Sequence, residues 1–146
     1  MKLYVRKVDP RAILPTYGSE RAAGADLYAL FEGESLSVLP GETVLVHTGI
    51  ATEIPEGYVG LVFARSGLAS KRGLAPANKV GVIDSDYRGE VMVALHNHGA
   101  APAEILAEER IAQLVIVPYL MAEIEEKDVL SDTERGAGGF GSTGRK

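Results

Sequence analysis

Short runs of aliphatic and β-branched residues, cut at close intervals by glycine and proline, steer this chain toward an all-β fold. Residues 3–8, 27–31, 43–54, 58–63, 80–83, 91–96 and 111–120 read as strands. The clearest is Thr43-Val44-Leu45-Val46-His47-Thr48-Gly49-Ile50, rich in side chains that suit a pleated surface. Turn punctuation falls between the runs, at Pro40-Gly41, Pro55-Glu56-Gly57, Arg88-Gly89 and Asn97-His98-Gly99. This spacing predicts a sandwich, a jelly roll or a closed barrel. Helix is scarce. Residues 66–72 suit a short turn of helix. Residues 104–114 have helical propensity, but Val115-Ile116-Val117-Pro118 draws the second half toward strand.

A chain of 146 residues, 46% hydrophobic and 24% charged, suits one soluble globular domain. No linker or internal repeat divides it. No apolar stretch approaches the ~20 residues that cross a bilayer, so no membrane partner is expected. Arg6 and Lys7 interrupt any signal-peptide core at the N-terminus. With no cysteine, disulfides, thiolate zinc sites and a cysteine nucleophile are all excluded, and a cytoplasmic location is the simplest reading. The net charge is −5 and the chain has no basic cluster, which argues against nucleic acid as a partner. A few placed arginines still suffice to bind a small phosphate-bearing ligand.

Three stretches carry candidate chemistry. Asp84, Ser85 and Asp86 follow the apolar run Val80-Gly81-Val82-Ile83. On an extended chain the two carboxylates point the same way. Taken alone, the stretch is best read as an Asp-rich hairpin turn. Arg65-Ser66-Gly67 also follows a strand and offers a planar donor set, a hydroxyl and an approachable backbone, useful around a phosphate. Its plain alternative is a surface turn. The third stretch lies in the polar segment 131–146, where Arg135 and five glycines surround a single Phe140, followed by Ser142 and Thr143. A glycine-rich terminus is usually a disordered tail. A lone aromatic beside hydroxyls and an arginine also suits an arm that folds over a nucleotide, stacking on its base. No Gly-Lys-Ser/Thr is present, so the arm is not a phosphate-binding P-loop. His96 and His98 can share a strand face, but two histidines make a poor metal site.

Together these parts resemble the trimeric, all-β deoxyuridine triphosphatases (dUTPases). Five segments carry the resemblance, in order from Gly24 to Gly144. They are Gly24-Ala25-Asp26-Leu27-Tyr28, Arg65-Ser66-Gly67-Leu68-Ala69, the run 81–91 (Gly-Val-Ile-Asp-Ser-Asp-Tyr-Arg-Gly-Glu-Val), Glu109-Arg110-Ile111-Ala112-Gln113-Leu114, and the run 135–144 (Arg-Gly-Ala-Gly-Gly-Phe-Gly-Ser-Thr-Gly). The third and fifth are highly specific. One departure is Glu108, where many relatives place glycine before the acidic-Arg pair.

The resemblance implies a distorted jelly roll, barrel-like, over residues 1–130 and a flexible arm over 131–146 that closes a neighbouring active site. The implied reaction is dUTP plus water giving dUMP and pyrophosphate, which supplies dUMP for thymidylate synthesis and keeps uracil out of DNA. Asp84 would activate the water, since a carboxylate can take its proton. Tyr87 would be the platform under the deoxyribose. Asn78, with backbone groups of Val82, Ile83, Asp84 and Met92, would read the uracil edge, rejecting bases that leave its polar groups unpaired, and Gly81 would belong to the same substrate pocket. Ser66, Gly67 and Gln113 would face the phosphates, with Arg65 either contacting phosphate or bracing the site. Arg135, Ser142 and Thr143 of the arm would lie near the outer phosphates, Gly141 would also bind substrate, and Phe140 would close over uracil. Mg²⁺ would be held mainly by the triphosphate, with Asp26 acting on it through water. The implied partners are dUTP and two further copies of the chain, in a homotrimer with shared sites. Two rivals are a dCTP deaminase of related fold and a deoxynucleotide-binding regulator without turnover.

Overall fold

Alternation along one strand shows how this sequence builds its core. In β9 (Glu90–Asn97), Val91, Val93, Leu95 and Asn97 are buried, whereas Met92 points to the other face. Apolar side chains at every second position pack inward, and the strand's second face stays free to line a pocket.

The computed structural model describes residues 1–139. The remaining strands are β1 (Tyr4–Lys7), β2 (Thr16–Tyr17), β3 (Ala25–Tyr28), β4 (Ser35–Val38), β5 (Thr43–Glu53), β6 (Tyr58–Ala64), β7 (Leu74–Pro76), β8 (Gly81–Ile83), β10 (Ala103–Leu106) and β11 (Arg110–Pro118), with one helix, α1 (Ser66–Arg72). They form a four-stranded sheet β1-β5-β9-β7, a five-stranded sheet β2-β3-β11-β6-β8 and the pair β10-β4. Every pairing is antiparallel. All three sheets contribute to one core, with Ile50, Leu74 and Leu95 from the first, Leu27, Ile111 and Leu114 from the second, and Val38 and Ile105 from the third. At roughly 1.5–3 kcal/mol for each fully buried aliphatic side chain, this shared core is the main favourable term in folding. The architecture is a distorted jelly roll, and the sheets of the described residues do not close into a barrel.

The buried Asn97 is fully paired. Its Nδ2 donates to the carbonyls of Val38 (2.8 Å) and Ala101 (2.9 Å), and its Oδ1 accepts from Gly99 N–H (2.9 Å). An amide that buried would otherwise cost about 1–3 kcal/mol per unpaired group. Here it ties the end of β9 to β4 and to the loop leading to β10.

Seven of the eleven strands fall on the runs expected from sequence, and α1 falls on the expected residues 66–72. β2, β4, β7 and β10 have no counterpart among those runs. Each has two to four residues, too short for a periodic signal to rise above its turns. The helical propensity of residues 104–114 is overridden. Pairing of β10 with β4, and of β11 with both β3 and β6, satisfies that backbone in sheets instead.

The turn between β10 and β11 contains the family departure at Glu108. This residue has φ +61, the left-handed region that favours glycine. The turn closes all the same, with Glu108 N–H donating to Ala29 O and Glu109 N–H to Leu106 O. A non-glycine residue held there stores about 1–3 kcal/mol of strain. Glycine relieves that strain but gives back part of the gain as unfolded-chain entropy. Glu108→Gly is therefore expected to raise stability by roughly 0.5–1 kcal/mol in urea unfolding. A loss of stability would show that Glu108 makes a contribution beyond backbone geometry.

Candidate functional site

Between β8 and β9 the chain reverses at Asp84–Tyr87, where Tyr87 N–H donates to Asp84 O (3.2 Å). The Arg88 guanidinium pins the reversal by donating to the carbonyls of Ser85 (2.6 Å) and Tyr87 (3.0 Å). The stretch 84–86 is thus a turn and not an extended run, so the two carboxylates are not presented together. Asp84 lines a cavity of about 360 Å³; Asp86 does not.

Asn78, Gly81, Val82, Ile83, Tyr87 and Met92 line the same cavity. Three elements deliver them. Asn78 sits in the turn between β7 and β8, whose neighbour Lys79 is held at φ +66. Gly81, Val82 and Ile83 are β8 itself, pairing with Val62, Leu61 and Gly60 of β6. Met92 stands on the outward face of β9. Tyr87 folds back across Gly89, with its hydroxyl donating to Glu90 O (3.1 Å). A Cβ on Gly89 would overlap that hydroxyl oxygen, so only glycine allows the ring this position.

A second cavity, of about 250 Å³, gathers Asp26, Arg65, Ser66, Gly67 and Gln113. Here β3, β11 and β6 lie side by side, with Gln113 opposite Asp26 on one edge and opposite Phe63 on the other. Arg65 follows β6 and precedes α1 in extended conformation, and no side chain caps that helix. The first backbone N–H groups of α1, those of Ser66 and Gly67 among them, therefore have no intrahelical partner. Gln113 Nε2 donates to Ala64 O (2.8 Å). Its side chain occupies the space a Cβ on Gly24 would need, 2.6 Å from Oε1, which explains glycine at position 24.

Asp26 is the electrostatic centre of this group. Its side chain is nearly buried, and its two oxygens contact two guanidiniums, Oδ1 with Arg65 Nε (2.8 Å) and Oδ2 with Arg110 Nη1 (3.2 Å). Arg65 is further fixed by donating to Arg110 O (3.2 Å). Sequence alone does not single out Arg110, although it lies in the fourth family segment; only the β3–β11 register brings it to Asp26. Among the described residues no three His, Cys, Asp or Glu side chains gather as a metal cluster. Asp26 is committed to arginines and does not suit direct ligation. Each of its oxygens keeps a second lone pair, however, which suits a hydrogen bond from water on an ion held elsewhere.

The sequence-derived site residues are therefore brought together as two groups, and the two cavities share no lining residue. Arg135 lines neither; its Nε donates to Gly138 O (2.8 Å). Phe140, Gly141, Ser142 and Thr143 lie outside the described residues. The His96 and His98 rings stack at 6.4 Å between centroids, and His96 Nδ1 bonds Thr43 Oγ1.

Glu90, which lies in the third family segment but is not singled out in the sequence as a site residue, also lines the first cavity. Burial alone would push its carboxyl up. Hydrogen bonds from His47 and from Gly49 N–H outweigh that and hold it below the ordinary glutamate value. The folded chain therefore holds its protons less tightly there than the unfolded chain. Glu90's contribution to stability is complete above the range where a free glutamate titrates, and is lost as pH falls through the lowered folded value. Melting curves from pH 7 to pH 3 should decline less steeply for Glu90→Gln than for the natural chain; superimposable declines would contradict this.

Residues 10–144 match the family model described as dUTPase. The chain is 52% identical over 145 residues to the deoxyuridine 5'-triphosphate nucleotidohydrolase of Nautilia profundicola, covering 99% of this chain and all of that one. Among solved structures it resembles the Staphylococcus bacteriophage 80alpha dUTPase with dUpNHpp, with a TM-score of 0.87, 31% identity and 98% of each chain covered. It also resembles a point mutant of the dUTPase from phage phi11 of S. aureus, a structure concerned with coordination of a structural Mg(II) ion. There the TM-score is 0.78 and the identity 28%, covering 88% of this chain and 98% of that one.

Proposed function

The chain belongs to the dUTPase family and is a dUTP diphosphatase, and we propose that it acts by an Asp84-activated water attacking the α-phosphorus of dUTP, at sites shared between three copies of the chain. The observation that carries this reading is the company Asp84 keeps. One cavity holds it with Asn78, Tyr87 and Met92 on a single turn-and-strand framework.

In this reading the first cavity takes the deoxyuridine. Backbone groups of β8 and Met92, with the Asn78 amide, pair with the uracil edge, and a base of different donor pattern leaves them unpaired. The Tyr87 ring lies under the sugar and leaves no room for a 2'-hydroxyl. Asp84, exposed at the cavity's rim, takes a proton from water as the oxygen–phosphorus bond forms. The bond to the bridging oxygen of the β-phosphate breaks, and pyrophosphate leaves. Arg65, Ser66, Gly67 and Gln113 of the second cavity hold the triphosphate chain. Asp26 keeps the Arg65 guanidinium at a fixed angle, which costs no reorganisation during the reaction.

Deoxyuridine and triphosphate must be held together, yet in one chain the two groups of residues occupy separate cavities. Assembly as a homotrimer brings the hairpin cavity of one copy to the phosphate-binding group of another. The exposed apolar residues Leu120, Met121, Ile124, Val129 and Leu130, beyond β11, fit a segment that is covered on assembly. Arg135, Phe140, Gly141, Ser142 and Thr143 of the arm belong to the same reading, as the parts that close over substrate and exclude water. Mg²⁺, carried on the triphosphate oxygens with Asp26 reached through water, would neutralise charge and fix the chain of phosphates for in-line attack. The structural Mg(II) ion of the phi11 protein supports an ion in this family. A cytoplasmic location fits family membership.

Pyrophosphate release measured on dUTP, dCTP, dTTP and UTP with Mg²⁺ should be fast for dUTP alone. Ammonia release from dCTP, or no turnover at all, would refute the reading. Asp84→Asn should lower the dUTP rate by about 10²–10⁴-fold while dUTP still binds. A rate near that of the natural chain would place the base elsewhere.

A further inference from the structure

Tyr87 is the side chain on which the sugar would rest, yet little in its own turn fixes its height. It is 43% exposed, lies against Gly89 and has one polar anchor, the carbonyl of Glu90. How firmly Tyr87 is held therefore depends on how firmly Glu90 is held.

Both oxygens of the Glu90 carboxylate are anchored. Oε1 accepts from Gly49 N–H (2.7 Å) and Oε2 bonds His47 Nδ1 (2.9 Å). Both partners belong to an irregularity in β5, where the pairing with β9 slips between His47 and Ala51. The slip cannot slide. Gly49 has φ +67, and a Cβ there would meet the side chains of Leu30 and Ala12 at 2.5 and 2.8 Å. The Thr48 hydroxyl adds a bond to Val91 O, the next carbonyl along β9. Glu90 also lines another cavity, of about 320 Å³, where Arg11 is paired with Asp9 (2.8 Å) and Glu32 (2.5 Å). Arg11 is thus engaged elsewhere, and His47 is the side chain that Glu90 bonds. His47 also stands opposite Met92, which lines the nucleoside cavity.

We propose that Glu90 and His47 are positioning residues that lock Tyr87 onto the β5 irregularity and so set the discrimination between deoxyribose and ribose. Neither needs to touch the substrate. The strand slip holds Glu90, its carbonyl holds the tyrosine hydroxyl, and the ring is kept too high for a 2'-hydroxyl to fit. The inference rests on the dUTP reading above and adds to it a mechanism for sugar choice.

The test measures kcat and KM for dUTP and UTP on the natural chain, Glu90→Ala, Glu90→Gln and His47→Ala, with a melt for each. Glu90→Ala should raise the UTP/dUTP ratio of kcat/KM at least tenfold, chiefly through KM. Glu90→Gln should restore it, because the amide oxygen still accepts from Gly49 N–H and the amide NH₂ can donate to His47 Nδ1. His47→Ala should shift the ratio in the same direction by a smaller factor. Its side chain is 56% exposed, so its loss leaves the fold standing and keeps the test decisive even where Glu90→Ala melts early. Unchanged ratios in every folded alanine variant would overturn the inference while the dUTP reading stands. A natural chain that does not hydrolyse dUTP would instead bring down that reading, and this inference with it.

Discussion

Both halves of the site hang on β6, which is hydrogen-bonded along both edges. On one side it pairs with β11 through seven positions, from Tyr58–Pro118 to Ala64–Ala112, and on the other with β8 through three. The β8 pairing fixes Gly81, Val82 and Ile83, and with them the turn bearing Asp84 and Tyr87. The β11 pairing fixes Gln113, and through β3 it brings Asp26 within reach of Arg65 at the end of β6 itself. A one-residue slip of β6 would turn its buried positions Gly60 and Val62 outward and misplace both groups at once.

The two cavities have different physical characters. The cavity beside Asp84 is shaped by strand faces and backbone groups, so in the reading proposed above its selectivity would come from hydrogen-bond pattern and steric height. The phosphate-side cavity is organised by charge. One nearly buried carboxylate between two guanidiniums leaves the cluster net positive, which suits a polyanion. That same arrangement has Asp26 orient two arginines, and it is compatible with the water-mediated role toward Mg²⁺ that the family resemblance implies. In the reading proposed above a magnesium ion would come as part of the bound triphosphate; among the described residues no three His, Cys, Asp or Glu side chains form a cage for it.

Much of the fold is legible in the residues. The long strands β5, β9 and β11 carry enough β-branched and alternating side chains to announce themselves. The run 81–91 and the arm 135–144 carry the family resemblance. What stays hidden depends on tertiary pairing. Arg110 acquires its partner only when β11 lies beside β3. Glu90 and His47 are 43 residues apart, and only the β5–β9 slip makes them neighbours. The Asp-rich turn expected at 84–86 is present, but what pins it, the Arg88 guanidinium on the carbonyls of Ser85 and Tyr87, carries no signal in the sequence. The division of the site into two cavities is invisible in sequence, where all five segments follow one another along one chain.

Mixed assemblies test most directly whether those two cavities are completed across chains. Asp84→Asn spoils only the nucleoside half, and Arg65→Ala only the phosphate half. Each variant alone should be nearly inactive on dUTP. Unfolded and refolded together, they should regain a definite fraction of natural pyrophosphate release, because some sites then combine an intact hairpin from one copy with an intact phosphate group from another. Failure to recover activity at any mixing ratio, with mixed oligomers demonstrated by mass, would contradict a site shared between chains.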